Sequence, residues 1–579
     1  MPTRLLPAEP SLEHLKKQAK RLRDAVRGGD ADAFAQVLEF HPRASQVRDR
    51  FSLVEAQLVI ARSYGFPSWT KLKQHVVEIG PFVWNPAPGP DPHALDDVFV
   101  RLACLTYLDW HPSNVARAVR MLDEHPELAA ANIYTAAAVG NVAAVAGMLD
   151  RDPSAVNRKG GPLRWEPLLY ACYSRLPRED GRSTLEVARF LLSRGADPNA
   201  GFLFAGHYAF TALTGAFGRG EDWPNQPPHE ESVALARLLL DAGADPNDSQ
   251  TLYNRHFEAD DEHLEVLFAY GLGKDRGGPW LKRLGGESAT PETMLVQQLC
   301  WAAMKNFSRR VKLVVQHGVD VNRPSLRSGR TAYQEALRAG NHAIAEYLLE
   351  HGAHEIGLDR VEEFAIACLE GRRDEVRRRL TKDPALMDLL GHHGRIELLH
   401  RAVEAKRPEA VRLIVELGVE VNGMVPGTGL DRSALHNAAG WGGVETVKLL
   451  IELGADPSLR DLAYNATPLG WALHCSNREV IEYLLPTAEV FDAVRAGGVE
   501  RVAALLEQDP SLANARDSAG NPLIFYLDPA SARLEEMIHR LITHGAVLDA
   551  LNNRGRTLVE EALLAQEATF AAVIRRFQR

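Results

Sequence analysis

Cysteine is scarce in this chain, and no two cysteines lie close together. The 579 residues contain five. They are Cys104, Cys172, Cys300, Cys368 and Cys475. An odd number without any Cys-x-x-Cys pair argues against a disulfide framework and against a structural zinc site. We therefore expect a reducing compartment, the cytoplasm, and no metal held by cysteine.

Long hydrophobic runs are also missing. No window of about 18 apolar residues occurs, and residues 1–7 lack the apolar core of an export signal. Acidic residues outnumber basic ones by 76 to 66, and the resulting net charge of −10 disfavours a nucleic-acid scaffold. The predicted class is a soluble protein with no membrane span and no nucleic-acid partner.

The motifs of several familiar chemistries are absent as well. The chain contains no Gly-x-x-x-x-Gly-Lys-Ser/Thr phosphate loop, no His-Glu-x-x-His and no Gly-x-Ser-x-Gly. His392, His393 and His400 form the closest histidine group and could attract a metal, although a structural role is the stronger interpretation of His400. We expect no cofactor and no enzymatic activity.

What the chain has in abundance is repetition. Residues 239–247 echo 191–199, and part of the phrase returns at 453–457. Thr467–Leu473 likewise repeats Ser433–Ala439, which begins 34 residues earlier. In each unit Thr or Ser suits a helix N-cap, paired alanines allow close helix approach, and glycine suits the end of a second helix. Such a unit of roughly 33 residues is a helical hairpin that must stack on its neighbours to bury its apolar face.

These units resemble the ankyrin repeat, whose usual form is Thr-Pro-Leu-His, then Ala-Ala, Val-x-Leu-Leu and Gly-Ala-Asp. The resemblance implies an all-α solenoid of stacked helix-turn-helix units, with about 13 repeats when degenerate ones are included. We predict a first array over 94–290 and a second over 291–579, with extended residues only in the inter-repeat turns. His400 and His436 occupy the histidine position of the motif, where the resemblance implies an imidazole that bonds the loop and cap of its own or the next repeat.

The first 80 residues differ from the repeats. A Ser11 cap predicts an amphipathic helix that the Gly28-Gly29 pair ends, and a second helix follows to Phe40. Further helices are predicted over 53–62 and after Pro67.

Residues 64–75 resemble a short module that commonly precedes ankyrin arrays in bacterial proteins, which implies a bacterial origin. We predict that residues 1–80 form an N-terminal capping module, in which Trp69 and Phe66 pack the helices together. A separate docking module is the alternative. The proline-rich stretch 81–93 is predicted to be a stiff connector.

Three irregularities interrupt the array, at 175–184, 218–231 and 271–291. The first two fall at the same point of neighbouring repeats, so we expect them to lie side by side on one face. Insertions in a solenoid either mark the binding face or reflect growth that costs little stability. Both interpretations stay open.

The two residues after each Ala-Ala pair are expected to face the concave groove, where they are free to recognise a partner. Tyr, Met, Arg and Trp are typical of binding hot spots. The candidate partner-binding residues in these positions and in the inter-repeat turns are Trp165, Tyr173, Phe204, Tyr208, Arg219, Met304, Arg338, Trp441, Tyr464 and His474. An aromatic side chain in a turn has an alternative role as a wedge between repeats.

Two classes of function follow. The leading hypothesis is a monomeric cytoplasmic scaffold that binds an unidentified protein through the groove and turns. The alternative is an enzyme, or the regulator of one, with a small-molecule site near the insertions at 218–231 and 271–291. Convergence of Trp223, His229, His256 and Trp280 on one closed cavity would favour the alternative. A basic cluster over 372–382 is either a contact for an acidic partner or a solvated helix face.

Overall fold

The computed structural model shows a mostly helical protein, with 61% helix and 4% strand. The described residues are 4–47, 50–84, 94–108, 110–179, 181–274, 278–284, 290–565 and 567–578. They form two compact units. Unit 1 comprises residues 1–299, 309–320 and 325–328, and unit 2 comprises residues 300–308, 321–324 and 329–579. The predicted predominance of helix is confirmed.

Short helices make up most of both units. Those that begin before residue 310 are α1 Leu12–Arg27, α2 Ala31–Phe40, α3 Ala44–Val47, α4 Leu53–Ser63, α5 Trp69–Ile79, α6 Leu95–Ala103, α7 Ser113–Glu124, α8 Ile133–Val139, α9 Val142–Arg151, α10 Pro167–Tyr173, α11 Thr184–Ser193, α12 Ala212–Phe217, α13 Ser232–Asp241, α14 Ser249–Arg255, α15 Glu262–Ala269, α16 Pro279–Leu284, α17 Pro291–Lys305 and α18 Ser308–Gln316.

The remaining helices belong to unit 2. They are α19 Ala332–Ala339, α20 His342–Glu350, α21 Arg360–Leu369, α22 Arg373–Lys382, α23 Leu386–Glu404, α24 Pro408–Glu416, α25 Ala434–Trp441, α26 Val444–Glu452, α27 Pro468–His474, α28 Arg478–Leu484, α29 Val490–Arg495, α30 Val499–Gln508, α31 Leu534–Thr543, α32 Leu558–Leu564 and α33 Ala568–Phe577. Among the described residues, no helix is long and apolar enough to cross a membrane.

The N-terminal helices begin and end close to where the sequence predicts. The Ser11 hydroxyl caps α1 by accepting from the His14 amide, and Gly28 is its C-cap. Trp69 and Phe66 are partly buried against the apolar core that α1, α2, α4 and α5 share. The predicted packing role of these two rings is confirmed.

The repeat unit has the predicted hairpin form, which α25 and α26 illustrate. Ala438 and Ala439 of α25 are fully buried, so the small side chains let neighbouring helices approach closely. After α26 the chain turns at Gly454, whose φ of +94° is the left-handed conformation that glycine adopts without steric cost.

In five of the described inter-repeat turns, an asparagine joins that turn to the next one. The Asn199 amide donates from Nδ2 to the Gly243 carbonyl (3.0 Å), and its Oδ1 accepts from the Asp245 amide (2.9 Å). The same clasp recurs between Asn157 and Gly195 with Asp197, Asn322 and Gly352 with His354, Asn422 and Gly454 with Asp456, and Asn514 and Gly545 with Val547. Each clasp satisfies one backbone donor and one backbone acceptor of the following turn, which ties consecutive repeats together.

A small sheet in unit 1 departs from the prediction. Strands β1 Val83–Trp84, β2 Gly201–Phe204 and β3 Tyr208–Thr211 lie in the order β1-β2-β3. The antiparallel pair β2–β3 is the extended inter-repeat turn that was expected, but β1 pairs in parallel with β2 and lies in the predicted connector. The prediction counted prolines and overlooked Val83-Trp84, an apolar pair of the types that favour strands. The rest of that predicted connector, 85–93, lies outside the described residues.

Candidate protein-interaction surface

A cluster of aromatic rings lies at the end of α25 in unit 2. Trp441, the last residue of α25, has an exposed fraction of 36%. Its ring centroid is 5.2 Å from that of Trp471 in an edge-on arrangement, and Tyr464 meets Trp471 at 5.9 Å in the same manner. The Tyr464 side chain, in the turn that leads to α27, is 74% exposed. We refer to Arg432, Trp441, Tyr464 and Trp471 as the Trp441 patch.

Two glycines follow Trp441. A Cβ at Gly442 would lie 2.6 Å from the Ala438 carbonyl oxygen, so the backbone there has no space for a side chain. At Gly443 a Cβ would meet nothing within 4 Å. The two positions after Trp441 thus contribute no side chain that could cover its ring.

Arg432 binds the rings together. Its guanidinium carbon lies 5.2 Å from the centroid of the Trp441 ring and 5.1 Å from that of the Trp471 ring. Both distances are within the range of a cation–π interaction. The Arg432 Nε also donates to the Oδ1 of Asn437. Burial lowers the pKa of Arg432, because desolvation penalises the charged form.

The carboxylates near Arg432 are bound to other groups. Those of Glu404, Asp461 and Asp431 act on Arg432 electrostatically. Glu404 binds the Lys305 ammonium group at 2.6 Å, and Asp431 accepts from a backbone amide of its own turn. Asp461 accepts from the Trp471 indole Nε1 (2.7 Å) and from three amides of its own loop. Arg432 thus forms no ion pair within the described part of unit 2.

Two buried histidines hold residues next to the Trp441 patch in place. The Asn437 amide that holds Arg432 also donates from Nδ2 to the His400 Nδ1 (2.8 Å). His436 lies 2.8 Å from the Ser433 hydroxyl of its own cap and 3.1 Å from the Ala466 carbonyl oxygen of the next turn. Burial lowers the pKa of both imidazoles, to about 4 for His400. His436 has the role that the sequence resemblance implies for the motif histidine, whereas His400 bonds the Asn437 side chain within the next helix.

A family comparison identifies these repeats. A profile described as ankyrin repeats, in three copies, matches residues 399–492, which include the whole Trp441 patch. Residues 399–492 of this chain are therefore ankyrin repeats.

Similar proteins add little about its activity. Ankyrin repeat domain-containing protein 63 from Mus musculus and the protein of the same name from Homo sapiens are each 29% identical to it over 159 residues. The matched segment is 28% of this chain, and it spans about a third of these curated relatives, 33% and 34% respectively.

A comparison with solved structures is weaker still. A chain in the complex of the Bd0816 predatory endopeptidase from Bdellovibrio bacteriovorus with immunity protein Bd3460 aligns over 37% of this chain and 96% of its own length. Its sequence identity is 18% and the TM-score is 0.21. No argument is based on this likeness.

The other predicted contact residues of this protein in unit 2 vary in exposure. His474 is exposed and ends α27, the helix that carries Trp471. Arg338 is half-buried and forms an ion pair with Glu362. Met304 is half-buried, and its carbonyl accepts from the Asn341 side chain at 3.1 Å. The sequence analysis named Trp441, Tyr464 and His474 but missed Arg432, which precedes the cap residue of its repeat.

Two of the predicted contact residues in unit 1 are core residues, which corrects the prediction. Trp165 and Tyr173 are 1% and 0% exposed. The Trp165 ring stacks on Phe202 with 4.8 Å between centroids and 13° between planes, and the Tyr173 hydroxyl donates to the Thr211 carbonyl. Both side chains fill the space between repeats, so their role is the wedge that the sequence analysis gave as the alternative.

The remaining candidates of unit 1 lie nearer the surface. Phe204 is half-buried with its ring 5.2 Å from Phe210, whereas Tyr208 at the start of β3 is 53% exposed. Arg219 is half-buried and pairs with Glu258 at 2.7 Å. Tyr208 is therefore the more accessible aromatic residue of this pair.

The first two insertions lie side by side, as predicted. Arg175, which is buried, donates from Nε to the Pro227 carbonyl at 2.7 Å. The Thr184 hydroxyl lies 2.7 Å from the His229 Nε2, and Arg178 pairs with Glu231 at 2.9 Å. The insertions stabilise each other through these contacts.

The small-molecule alternative finds no support in unit 1. Trp280 lines a cleft together with Asp245, Asn247 and Asp248, but Trp223, His229 and His256 are not among its lining residues. His229 is instead held by Thr184. The convergence that would have favoured an enzyme or a regulatory site is not seen in the described part of unit 1. Residues 275–277 and 285–289 of the third insertion lie outside the described residues.

Two other sequence features of unit 2 have structural explanations. Arg372, Arg373 and Arg379 of the basic cluster pair with carboxylates of the chain itself, which favours the interpretation as a solvated helix face. His392 and His393 are exposed, whereas His400 is buried. Among the described residues, no group of three or more His, Cys, Asp or Glu side chains is arranged to hold a metal ion.

Proposed function

We propose that this protein binds another protein through the Trp441 patch and the concave groove to which Trp441 belongs. Ankyrin repeats generally mediate protein–protein interaction. The observation that carries the proposal is the exposed Trp441 ring packed against a half-buried arginine, because Trp, Tyr and Arg in a partly desolvated cluster are typical of interaction hot spots.

The wider architecture is part of the same proposal. We infer a solenoid of about 13 repeats over 94–579, with the first helix of each repeat lining the groove. The recurrent asparagine clasps support this inference, since the same bonds join consecutive turns in both units. We propose that the protein is a monomeric cytoplasmic scaffold that binds neither nucleic acid nor membrane. The net charge of −10 supports the absence of nucleic-acid binding, because a negative protein repels the phosphate backbone.

The test is affinity capture with matched aromatic variants. Full-length protein, Trp441→Ala and Tyr483→Ala are used to capture proteins from the cell of origin. Tyr483 is an aromatic residue of α28 with 37% exposure, close to that of Trp441. We expect Trp441→Ala to weaken the complex by about 2 kcal/mol, or roughly 30-fold in Kd, and Tyr483→Ala to leave it unchanged.

Stability measurements make the result unambiguous. Trp441 is 36% exposed and packs on Trp471 and Arg432, so Trp441→Ala should lower the free energy of unfolding by about 1–3 kcal/mol. Capture is therefore compared at a temperature at which all three proteins are folded. A large loss of stability with binding intact would show that Trp441 is a wedge between repeats. Equal capture by all three proteins would also contradict the proposal.

A further inference from the structure

The Arg432 side chain is held in place, but it forms no ion pair within the described part of unit 2. Two tryptophan rings flank its guanidinium group, and Asn437 binds its Nε. Its Nη1 and Nη2 atoms have no hydrogen-bond partner among the described residues of unit 2. Since the side chain is already immobilised, a ligand of these two nitrogens would not have to order it.

Two other arginines of unit 2, Arg412 and Arg533, bind carboxylates of the chain. Arg412 forms two parallel bonds with Glu452, both at 3.0 Å, and Arg533 binds Glu500 in the same two-point manner. Arg432 differs because each carboxylate near it is bound elsewhere. These carboxylates leave the Arg432 Nη atoms unbonded, so an external carboxylate can form charge-assisted hydrogen bonds with them.

The charges around Arg432 limit the classes of ligand that it can bind. Glu404, Asp431 and Asp461 surround Arg432, and three negative charges would repel a polyanion such as a nucleic-acid backbone. A single carboxylate can approach the two Nη atoms with much less repulsion. The exposed face of Trp441 next to Arg432 suits an apolar side chain.

We propose that the Trp441 patch recognises a partner segment in which an Asp or Glu side chain lies next to an apolar side chain. The carboxylate accepts from Arg432 Nη1 and Nη2, and the apolar side chain covers the Trp441 ring. The inference rests on the proposed function. It specifies that the partner contains an acidic-apolar peptide segment. It also assigns Arg432, which forms no ion pair within the described part of unit 2, a direct role in specificity.

The test uses random peptides as the probe. Short random peptides displayed on phage are selected on the full-length protein and counter-selected on Trp441→Ala, so that the surviving pool depends on the patch. We expect these peptides to be enriched in Asp or Glu beside an apolar residue. The Kd of a selected peptide is then measured on wild type, Arg432→Gln, Arg432→Lys and the control Arg478→Gln, whose side chain is 89% exposed.

The expected pattern is specific. Arg432→Gln should weaken peptide binding by about tenfold or more, whereas Arg478→Gln should have no effect. Arg432→Lys keeps the charge but loses the two-point geometry, so it should fall between these results. Replacing the acidic residue of the peptide by its amide should raise the Kd for wild type. The same replacement should leave the Kd for Arg432→Gln unchanged, because that variant has already lost the contact. The measurement on wild type needs no change in the protein and so does not depend on how the variants fold.

The outcomes separate the two proposals. A patch-dependent pool without acidic preference, bound equally by wild type and Arg432→Gln, would overturn the role of Arg432 and leave the proposed function standing. A selection that yields no peptide dependent on Trp441 would overturn both.

Discussion

His400 and His436 occupy the same position of two successive repeats, and each is neutral because it is buried and bonded. The His400 Nδ1 accepts from Asn437, which requires an unprotonated nitrogen at that position. Protonation would break this bond and weaken the support of Arg432. At the scale of a residue, the geometry of the Trp441 patch therefore depends on the charge state of a histidine that does not touch the rings.

The first prediction concerns the pH dependence of stability. The pKa of His400 is about 4 in the folded protein, against roughly 6.5 in an unfolded chain. The stabilisation from the neutral imidazole is thus fully present above pH ~6.5 and is lost as the pH falls towards ~4. His400→Gln keeps an acceptor without titrating. Between pH 7 and pH 5, the unfolding free energy of wild type should fall by about 2 kcal/mol more than that of His400→Gln.

Denaturant unfolding followed by circular dichroism at the two pH values measures this difference. The matched control is His393→Gln, because His393 is exposed. The same pH response in wild type and His400→Gln would show that His400 is not the titrating group.

At the scale of the element, the repeat-to-repeat connection rests on single asparagines in the turns. The sequence Asp-Pro-Asn predicts a turn, and this prediction is limited to the residues next to it. The structure shows that the same asparagine reaches the following turn, as Asn199 does by donating to the Gly243 carbonyl and accepting from the Asp245 amide. This second role depends on how repeats stack.

The corresponding prediction is a loss of stability in Asn422→Ala. The substitution leaves a backbone donor and a backbone acceptor of the next turn without their partner, and it should cost about 1–2 kcal/mol of unfolding free energy. Thermal unfolding of Asn422→Ala is compared with that of Asn553→Ala, a substitution of an exposed asparagine. Equal melting temperatures of the two variants would contradict the clasp as a source of stability.

At the scale of the whole molecule, the proposed solenoid implies that each repeat contacts mainly its neighbours. The last two helices, α32 and α33, bury Leu558, Phe570 and Ile574 in the shared core of unit 2. If the repeats form the proposed solenoid, a terminal hairpin stabilises its neighbour, but the earlier repeats do not need it in order to fold.

Truncation therefore provides the last prediction. A chain that ends at Ala550 lacks α32 and α33 and exposes apolar surface of the preceding repeat. We expect its helical signal per residue to stay close to that of the full chain, while the melting temperature falls by about 5 °C. Circular dichroism and thermal unfolding measure both quantities. Complete loss of the helical signal would show that the chain folds as one indivisible core instead.

The sequence by itself determined the helices, their caps and the period of the repeats. These features depend on residues a few positions apart, such as Ser11 with His14, or on a glycine such as Gly454 that permits a left-handed turn. Exposure was harder to predict. Trp165 and Trp441 both follow the residue patterns of contact positions, yet Trp165 is buried and Trp441 is not.

Only the tertiary structure decided which aromatic residues form the core and which form a surface. Trp165 is buried because Phe202, from a later turn, stacks on it. Arg432 contacts both Trp441 and Trp471 because the helices of two repeats pack together. Strand β1 forms because Val83 and Trp84 meet β2. The contacts of Trp165 with Phe202, of Arg432 with Trp471 and of β1 with β2 join residues far apart in the chain, and local sequence patterns contain no information on such contacts.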